Sequence, residues 1–169
     1  MGLPLLEESN NALTWPSSPW DFETDGDPTN LVDSLFQTLT ENGGVGLAAP
    51  QCGIHKNIFV MGNFTKLVAC INPMIVSVSP ESETDVEGCL SFPDLWLKVQ
   101  RPKSCIVRYQ HVDQSWIEEE LTGLMSRVFL HEFDHLYGIT FDNRVGNLSL
   151  KMAKEKRKKQ QKKLSRASA

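Results

Sequence analysis

A chain of 169 residues, 40% hydrophobic and with a formal net charge of −4, is long enough to bury a real core and has about the size of one domain. Its four cysteines, Cys52, Cys70, Cys89 and Cys105, form no Cys-x-x-Cys pair, and their wide spacing fits free thiols in a reducing compartment better than a disulfide framework. The first thirty residues hold six acids and no Lys or Arg, the reverse of a targeting peptide, and no apolar run approaches membrane-spanning length, so a cytoplasmic protein is expected.

In chain order, residues 1–30, with Trp15, Pro16, Pro19 and Trp20, read as irregular but anchored. Asp27-Pro28 opens a predicted helix that runs to about Glu41, with Leu31, Leu35 and Leu39 on one face and Asn42-Gly43-Gly44 ending it. Short β-rich runs follow at 57–61, 67–71, 74–78, 104–110 and 116–121. Leu121, Leu124, Met125, Val128 and Phe129 then recur at helical spacing, with Thr122 as N-cap and Gly138 where a C-terminal cap belongs. The pattern predicts an α+β fold, in which small antiparallel or mixed sheets wrap this central helix and leave one of its faces toward a groove.

Charge divides the chain unevenly. Residues 151–169 hold nine Lys/Arg against one Glu, net +8, whereas residues 1–150 hold eight basic and twenty acidic residues, net −12. The globular domain is accordingly assigned to 1–150 and a basic C-terminal tail to 151–169. The tail is rich in helix formers but nearly lacks an apolar stripe after Met152, which predicts an exposed or frayed helix. Such a block reads either as a solvated tail or as an arm for nucleic acid or an anionic assembly.

The predicted central helix carries His131-Glu132-Phe133-Asp134-His135. Histidines four apart project from one helix face, where both imidazoles can grip a single divalent metal with Glu132 beside the bound water. A hydrolytic site takes a third protein ligand. A histidine three residues after the following glycine is excluded, because Phe141 stands there. Asp142 and Glu155 are the downstream acids, and Glu155 lies in the Lys-rich run. Cys89, in Glu87-Gly88-Cys89-Leu90-Ser91, sits in a tight polar turn where a thiolate could face a metal; by itself it reads equally as a buried structural cysteine. Upstream, Gly43-Gly44-Val45-Gly46-Leu47-Ala48-Ala49-Pro50-Gln51 is a run of small residues suited to close approach of a ligand, ending in an amide donor. It lacks both the Gly-Lys-Ser/Thr ending of a phosphate loop and the preceding strand of a dinucleotide fold.

In this order, GVGLAAPQ, EGCLS and HEFDHL resemble the three signature motifs of the peptide deformylases, over roughly Asn42 to Asn143. The resemblance implies a peptide-deformylase-like fold and a hydrolase that removes the N-formyl group from the initiator methionine of nascent peptides, releasing formate. It implies Cys89, His131 and His135 as metal ligands, Glu132 as general acid/base, and Gln51 with the Leu90 amide as donors to the oxyanion. The ion it implies is Fe(II), with Zn, Ni or Co as substitutes. The substrate would lie extended against a Val45-Gly46 strand edge, with its methionine side chain near Val45, Leu124 and Val128. Two positions depart from the family pattern: Leu130 stands where many members have glutamine, and Trp96 where an arginine often follows the cysteine motif. Trp96 and Arg127 read either as specificity elements or as a packed tryptophan and a salt-bridged arginine. For such an enzyme the basic tail suggests the ribosome as partner, with neither DNA nor membrane involved. The rival readings are a zinc protease using Asp142 and a structural-metal protein with an RNA-binding arm; the latter needs a fourth ligand, and the spare histidines, His55 and His111, lack the spacing.

Overall fold

The computed structural model describes residues 2–63 and 66–167, so positions 168 and 169 of the basic tail lie outside the described residues. Helix α1 spans Thr29–Glu41, with Pro28 at its N-cap position. Proline cannot cap with its side chain, and the preceding Asp27 does so instead, its Oδ1 accepting from the Thr29 amide at 2.9 Å and the Thr29 hydroxyl at 2.6 Å. Strands β1 (Gly46–Ala48), β2 (Ile58–Asn63) and β3 (Lys66–Val78) follow, then β4 (Ser82–Cys89), β5 (Phe92–Pro102), β6 (Ser104–Gln110) and β7 (Trp116–Thr122). Helix α2 is Gly123–Leu136 and helix α3 is Asn147–Ala167. Among the described residues no helix is long and apolar enough to cross a membrane.

Among the described residues five strands form one sheet in the order β1-β2-β3-β6-β7, and β4 pairs with β5 alone; the pairings between these strands are all antiparallel. Alternation along β2 divides the core. Ile58 and Val60 join Leu35, Leu39 and Leu47 beneath α1, while Phe59 and Met61 point the other way to pack with Val128, Phe129 and Leu136 of α2. The Phe59 and Phe129 rings meet edge to face at 5.0 Å. The β4–β5 hairpin has its own apolar cluster, in which Phe92, Leu95, Leu97 and Val99 meet Leu13 and Phe141.

The irregular amino-terminal segment is tied down as expected, by backbone bonds from Leu6 to Gln51 and from Ser17 to Leu136, each 2.8 Å. Asn72 adds a clamp, accepting from the Trp20 amide at 2.7 Å and donating to its carbonyl at 2.9 Å. The two strands expected at 67–71 and 74–78 are one, since Asn72, at φ 49°, makes an irregularity inside β3 rather than an end.

The principal difference from the sequence reading is the β4–β5 hairpin. β4 is exposed on both faces over most of its length and shows no apolar alternation, so no periodic signal marks it. Pro93 stands near the start of β5, where a strand with one partner leaves an edge on which proline is tolerated. The turn itself is only Leu90-Ser91, between the paired Cys89 and Phe92. The tail is helical from Asn147, and it is docked rather than free. Leu150 and Ala153 pack on the hairpin cluster, while Leu148 and Met152, apolar residues in the same two turns, face solvent. Arg157 pairs with Glu8 at 2.9 Å and donates to the Pro93 carbonyl at 3.3 Å.

Helix α2 ends where Gly138, at φ 69°, lets the Ile139 amide reach back to the Asp134 carbonyl at 3.0 Å. A Cβ at Gly138 would overlap the backbone of Thr14, whereas one at Gly146 would meet nothing. Gly138→Ala should therefore cost about 1–3 kcal/mol from backbone strain alone and lower Tm by several degrees, with Gly146→Ala as the near-neutral control; thermal melts followed by circular dichroism check both.

Candidate metal centre

Helix α2 supplies His131, Glu132 and His135, all buried, and the end of β4 supplies Cys89. One ligand atom from each of Cys89, His131 and His135 lies within 4.8 Å of the others, and the Cys89 Sγ is 3.4 Å from His135 Nε2. No fourth Cys, His, Asp or Glu joins this set among the described residues. Asp142 is apart from it and accepts the Thr140 hydroxyl at 2.6 Å. A soft thiolate with two imidazoles suits a borderline divalent ion, and three protein donors leave a coordination position open, as hydrolytic sites require.

The orientation of His131 is set by Glu87, whose Oε2 lies 2.9 Å from Nδ1. A carboxylate only accepts, so Nδ1 carries the hydrogen and Nε2 is the atom available to a cation. Glu87 is itself gripped by Arg101, through Nε at 2.8 Å and Nη2 at 3.0 Å, and by Arg127 Nη1 at 2.8 Å. Burial alone would raise the Glu87 carboxyl, but the hydrogen bonds from His131 and Arg101, with the Arg101 charge, hold it at about 2. Burial likewise opposes a charged His131, yet bonds to Cys89 and Glu87 outweigh it and raise the imidazole to about 10, so ligation must displace that proton. His135 goes the other way, held well below its ordinary value first by burial.

Glu132 is the least supported group in the site. Burial pushes its carboxyl up to about 7, and its Oε2 has no hydrogen-bond partner among the described residues. Its other oxygen sits against Gly46, where any Cβ would overlap it. The small residues of this loop thus allow close approach of the protein's own carboxylate, a role the sequence reading gave only to a ligand. Gln51, in the short 3-10 turn Ala49–Cys52, accepts from the Ala48 amide at 2.9 Å, which fixes the oxygen end of its carboxamide. The nitrogen end therefore faces Ser91 Oγ at 3.2 Å and Cys89 Sγ at 3.4 Å.

These groups open onto a cavity of about 620 Å³ that also has Leu90, Val45, Gly46, Leu124 and Val128 in its wall, while His135 is buried behind it. Of the three apolar residues expected around a methionine side chain, only Val128 is buried; Val45 and Leu124 stand at the mouth. β1 lies at the edge of the five-stranded sheet, leaving its outer side open to an added strand. Arg127 is a buried ion-paired residue, bonding Glu87 and the carbonyls of Val99 and Glu83, each at 2.8 Å. Trp96 is mostly exposed and forms part of the cavity wall.

The sequence reading assigned no part to Glu87, Arg101, Asp134 or Ser91. The signal for Arg101 was present: it continues the inward alternation Leu95, Leu97, Val99, where a charge demands a buried partner. Its Nη1 donates to Asp134 at 2.7 Å, and Asp134 also pairs with Arg144.

A family model described as polypeptide deformylase matches residues 3–151, and the chain belongs to that family. A peptide deformylase of Thermotoga neapolitana is 47% identical over 114 residues, covering 68% of this chain and 70% of that protein. Another, from Acidobacterium capsulatum, is 37% identical over 150 residues, covering 86% and 87%. Among solved structures, the Synechococcus elongatus peptide deformylase in complex with actinonin superposes with a TM-score of 0.86 at 33% identity, covering 92% of this chain and 85% of that one. The Thermotoga maritima enzyme superposes with a TM-score of 0.82 at 37% identity, covering 86% and 99%. The α+β architecture described above is thus that of the family, and the chain is a hydrolase of this kind.

Removing one partner from a buried ion network leaves an uncompensated charge. Arg101→Leu should accordingly destabilise the protein by about 3–5 kcal/mol, by stranding Glu87 and Asp134. Arg144→Ala, at a side chain 43% exposed, should cost only about 0–1 kcal/mol. Urea titrations of the two variants give the comparison.

Proposed function

We propose that this member of the polypeptide deformylase family hydrolyses the formyl amide of N-formylmethionyl nascent peptides, yielding formate and a free amino terminus, within a catalytic unit of residues 1–150 acting in the cytoplasm. The observation that carries the reading is the convergence of Cys89, His131 and His135 around one point, beside a buried Glu132 oxygen with no protein partner among the described residues. The donor set fits a divalent cation, which we take to be Fe(II), with Zn, Ni and Co suited to the same ligands. When bound, such an ion supplies Lewis acidity and brings the pKa of an attached water to about 7.

The protein's own groups do the rest. Glu132 accepts a proton from the attacking water and returns it to the departing amine, acting first as general base and then as general acid. The Gln51 amide nitrogen and the Leu90 backbone N–H are the donors to the formyl oxygen as it gains charge. The peptide pairs with the open edge at Val45 and Gly46, and its methionine side chain runs past Leu124 to Val128. α3 adds a basic surface: Leu150, Ala153 and Arg157 face the body, so the exposed Lys159, Lys162 and Arg166 fall on the opposite side of the helix. We assign that side to ribosome contact.

Formate release from a formyl-Met tripeptide by metal-replete protein, with a blocked internal peptide as comparison, tests the activity. Glu132→Gln should keep its metal and lose about 10²–10⁴-fold in kcat. Cys89→Ala should lose tight metal binding, while Cys70→Ala and Cys105→Ala, both buried in the sheet core, should retain it. Undiminished metal in Cys89→Ala rejects the ligand set.

Replacing Lys159, Lys162 and Arg166 together by alanine keeps the docked face of α3 intact. The triple variant should retain its Tm and its activity on the tripeptide but bind ribosomes with a shallower dependence of log K on log salt, by about 0.7–0.9 for each phosphate these side chains neutralise. Co-sedimentation at two salt concentrations measures it, and unchanged binding removes the ribosome assignment.

A further inference from the structure

Large apolar side chains exposed singly are ordinary on a protein surface; several around one cavity are not. Trp96, Leu124, Val86 and Val45 are 64%, 63%, 49% and 47% exposed, and all four line the cavity that holds Glu132. Trp96 is the largest of them, and its position is built rather than incidental. It is on the outward face of β5, and the nearest residue of β4 on that face is Gly88. A Cβ at Gly88 would lie 2.6 Å from one indole carbon and 3.0 Å from two more. The indole therefore rests flat enough on the strand backbone that only glycine fits beneath it, one residue before Cys89. A side chain this large, seated on the hairpin and open to solvent on its other side, presents a fixed aromatic surface at little further entropic cost.

The charges at this mouth point the same way. Arg127 is the only Lys or Arg in the cavity wall among the described residues, and its guanidinium is spent on Glu87 and two main-chain carbonyls. Asp94, exposed, lies at the rim two residues before Trp96. The cavity wall thus offers apolar area and a negative charge, and its one cation among the described residues is already engaged; the exposed Lys98, next along the outward face of β5, lies outside that wall.

We infer that Trp96 is a specificity-determining residue: a platform for the side chains that follow the formylmethionine, favouring apolar and aromatic residues over acidic ones. The inference rests on the deformylase reading given above. An extended peptide leaving the Gly46 edge carries its second and third residues past the mouth, and the indole face is the surface they meet. Catalysis on a substrate with no side chain beyond methionine does not involve Trp96.

Two peptide series test this with metal-replete full-length protein: formyl-Met-X-Ser and formyl-Met-Ser-X, with X as Phe, Leu, Ala or Asp, alongside formyl-methionine amide. In the wild type, kcat/KM for Phe should exceed that for Asp by about 10-fold or more in at least one series, mainly through KM, the scale of discrimination an apolar contact provides. Trp96→Ala should bring that ratio to within about 2-fold, Trp96→Phe should keep most of it, and both should act on formyl-methionine amide like the wild type. A ratio unchanged in Trp96→Ala overturns the assignment, as does an equal loss on every substrate including the amide, which marks a structural role. Absence of formate release by the wild type from all of these peptides overturns the deformylase reading itself.

Discussion

The site depends on one carboxylate. Glu87 leaves β4 and is held by Arg101 from β5, by Arg127 from α2 and by the His131 ring, so a single side chain joins the two-stranded hairpin to the helix. Cys89 is two residues further along the same strand and shares its side, with Gly88 facing outward between them. Fixing Glu87 therefore fixes where the thiol arrives relative to the imidazoles. A buried ion network of this kind is a poor sign of net stability, because desolvation offsets much of the attraction. Its evident product is geometry: one histidine tautomer, one ring orientation, and a hairpin that cannot slide along α2.

The five-stranded sheet has the complementary task of bringing the loop before β2 up to the helix. Because β2 sends Phe59 and Met61 to α2 and Ile58 and Val60 to α1, the sheet is held between two helices at its β1 end. Both faces there are committed, which leaves only the edge of β1 open. Gly46 on that edge is pressed against Glu132, and Gln51 just beyond β1 reaches Ser91 and Cys89 across the cleft. Three segments distant in sequence thereby face one volume, each for a packing reason that does not require a ligand.

How much of this could be read from the sequence follows from the range of the interactions. The helix bearing His131 and His135 has a local 3.6-residue period and ends at Gly138, although Thr122 at its N-cap position makes no side-chain capping bond; α1 has a like period after Asp27-Pro28, and β6 and β7 are marked by local β-rich runs. The three motifs are local strings as well, and they brought Cys89, Gln51 and Glu132 into consideration together. β4 is different: its polar residues carry no period, and its conformation comes from pairing with β5. The partners of Glu87 lie 14 to 44 residues away, where no spacing rule reaches. For α3 the structural reading of the sequence has Leu148, Leu150 and Met152 all packing the start of the tail against the body. Only Leu150 does, because the helix also has to bring Arg157 to Glu8 and Pro93. The boundary suggested by charge at residue 150 thus falls inside a helix whose first turns are fastened to the hairpin.

That fastening bears on the cavity. Pro93 and Asp94, which accept hydrogen bonds from Arg157 and Gln161 of α3, are also part of the cavity wall and precede Trp96 on β5. The rim is therefore braced from outside by the carboxy-terminal helix and from inside by Leu95 and Leu97 in the hairpin core. Within and behind the cavity, by contrast, are buried polar atoms, Glu132 Oε2 and His135 Nδ1, with no protein partner among the described residues, each of a kind that costs about 1–3 kcal/mol to leave unpaired. Such atoms persist only where surrounding structure over-determines their position. The hairpin core, the Glu87 network and the α2 packing on Phe59 supply that constraint, so these two unpartnered atoms are enclosed by buried and mutually bonded neighbours.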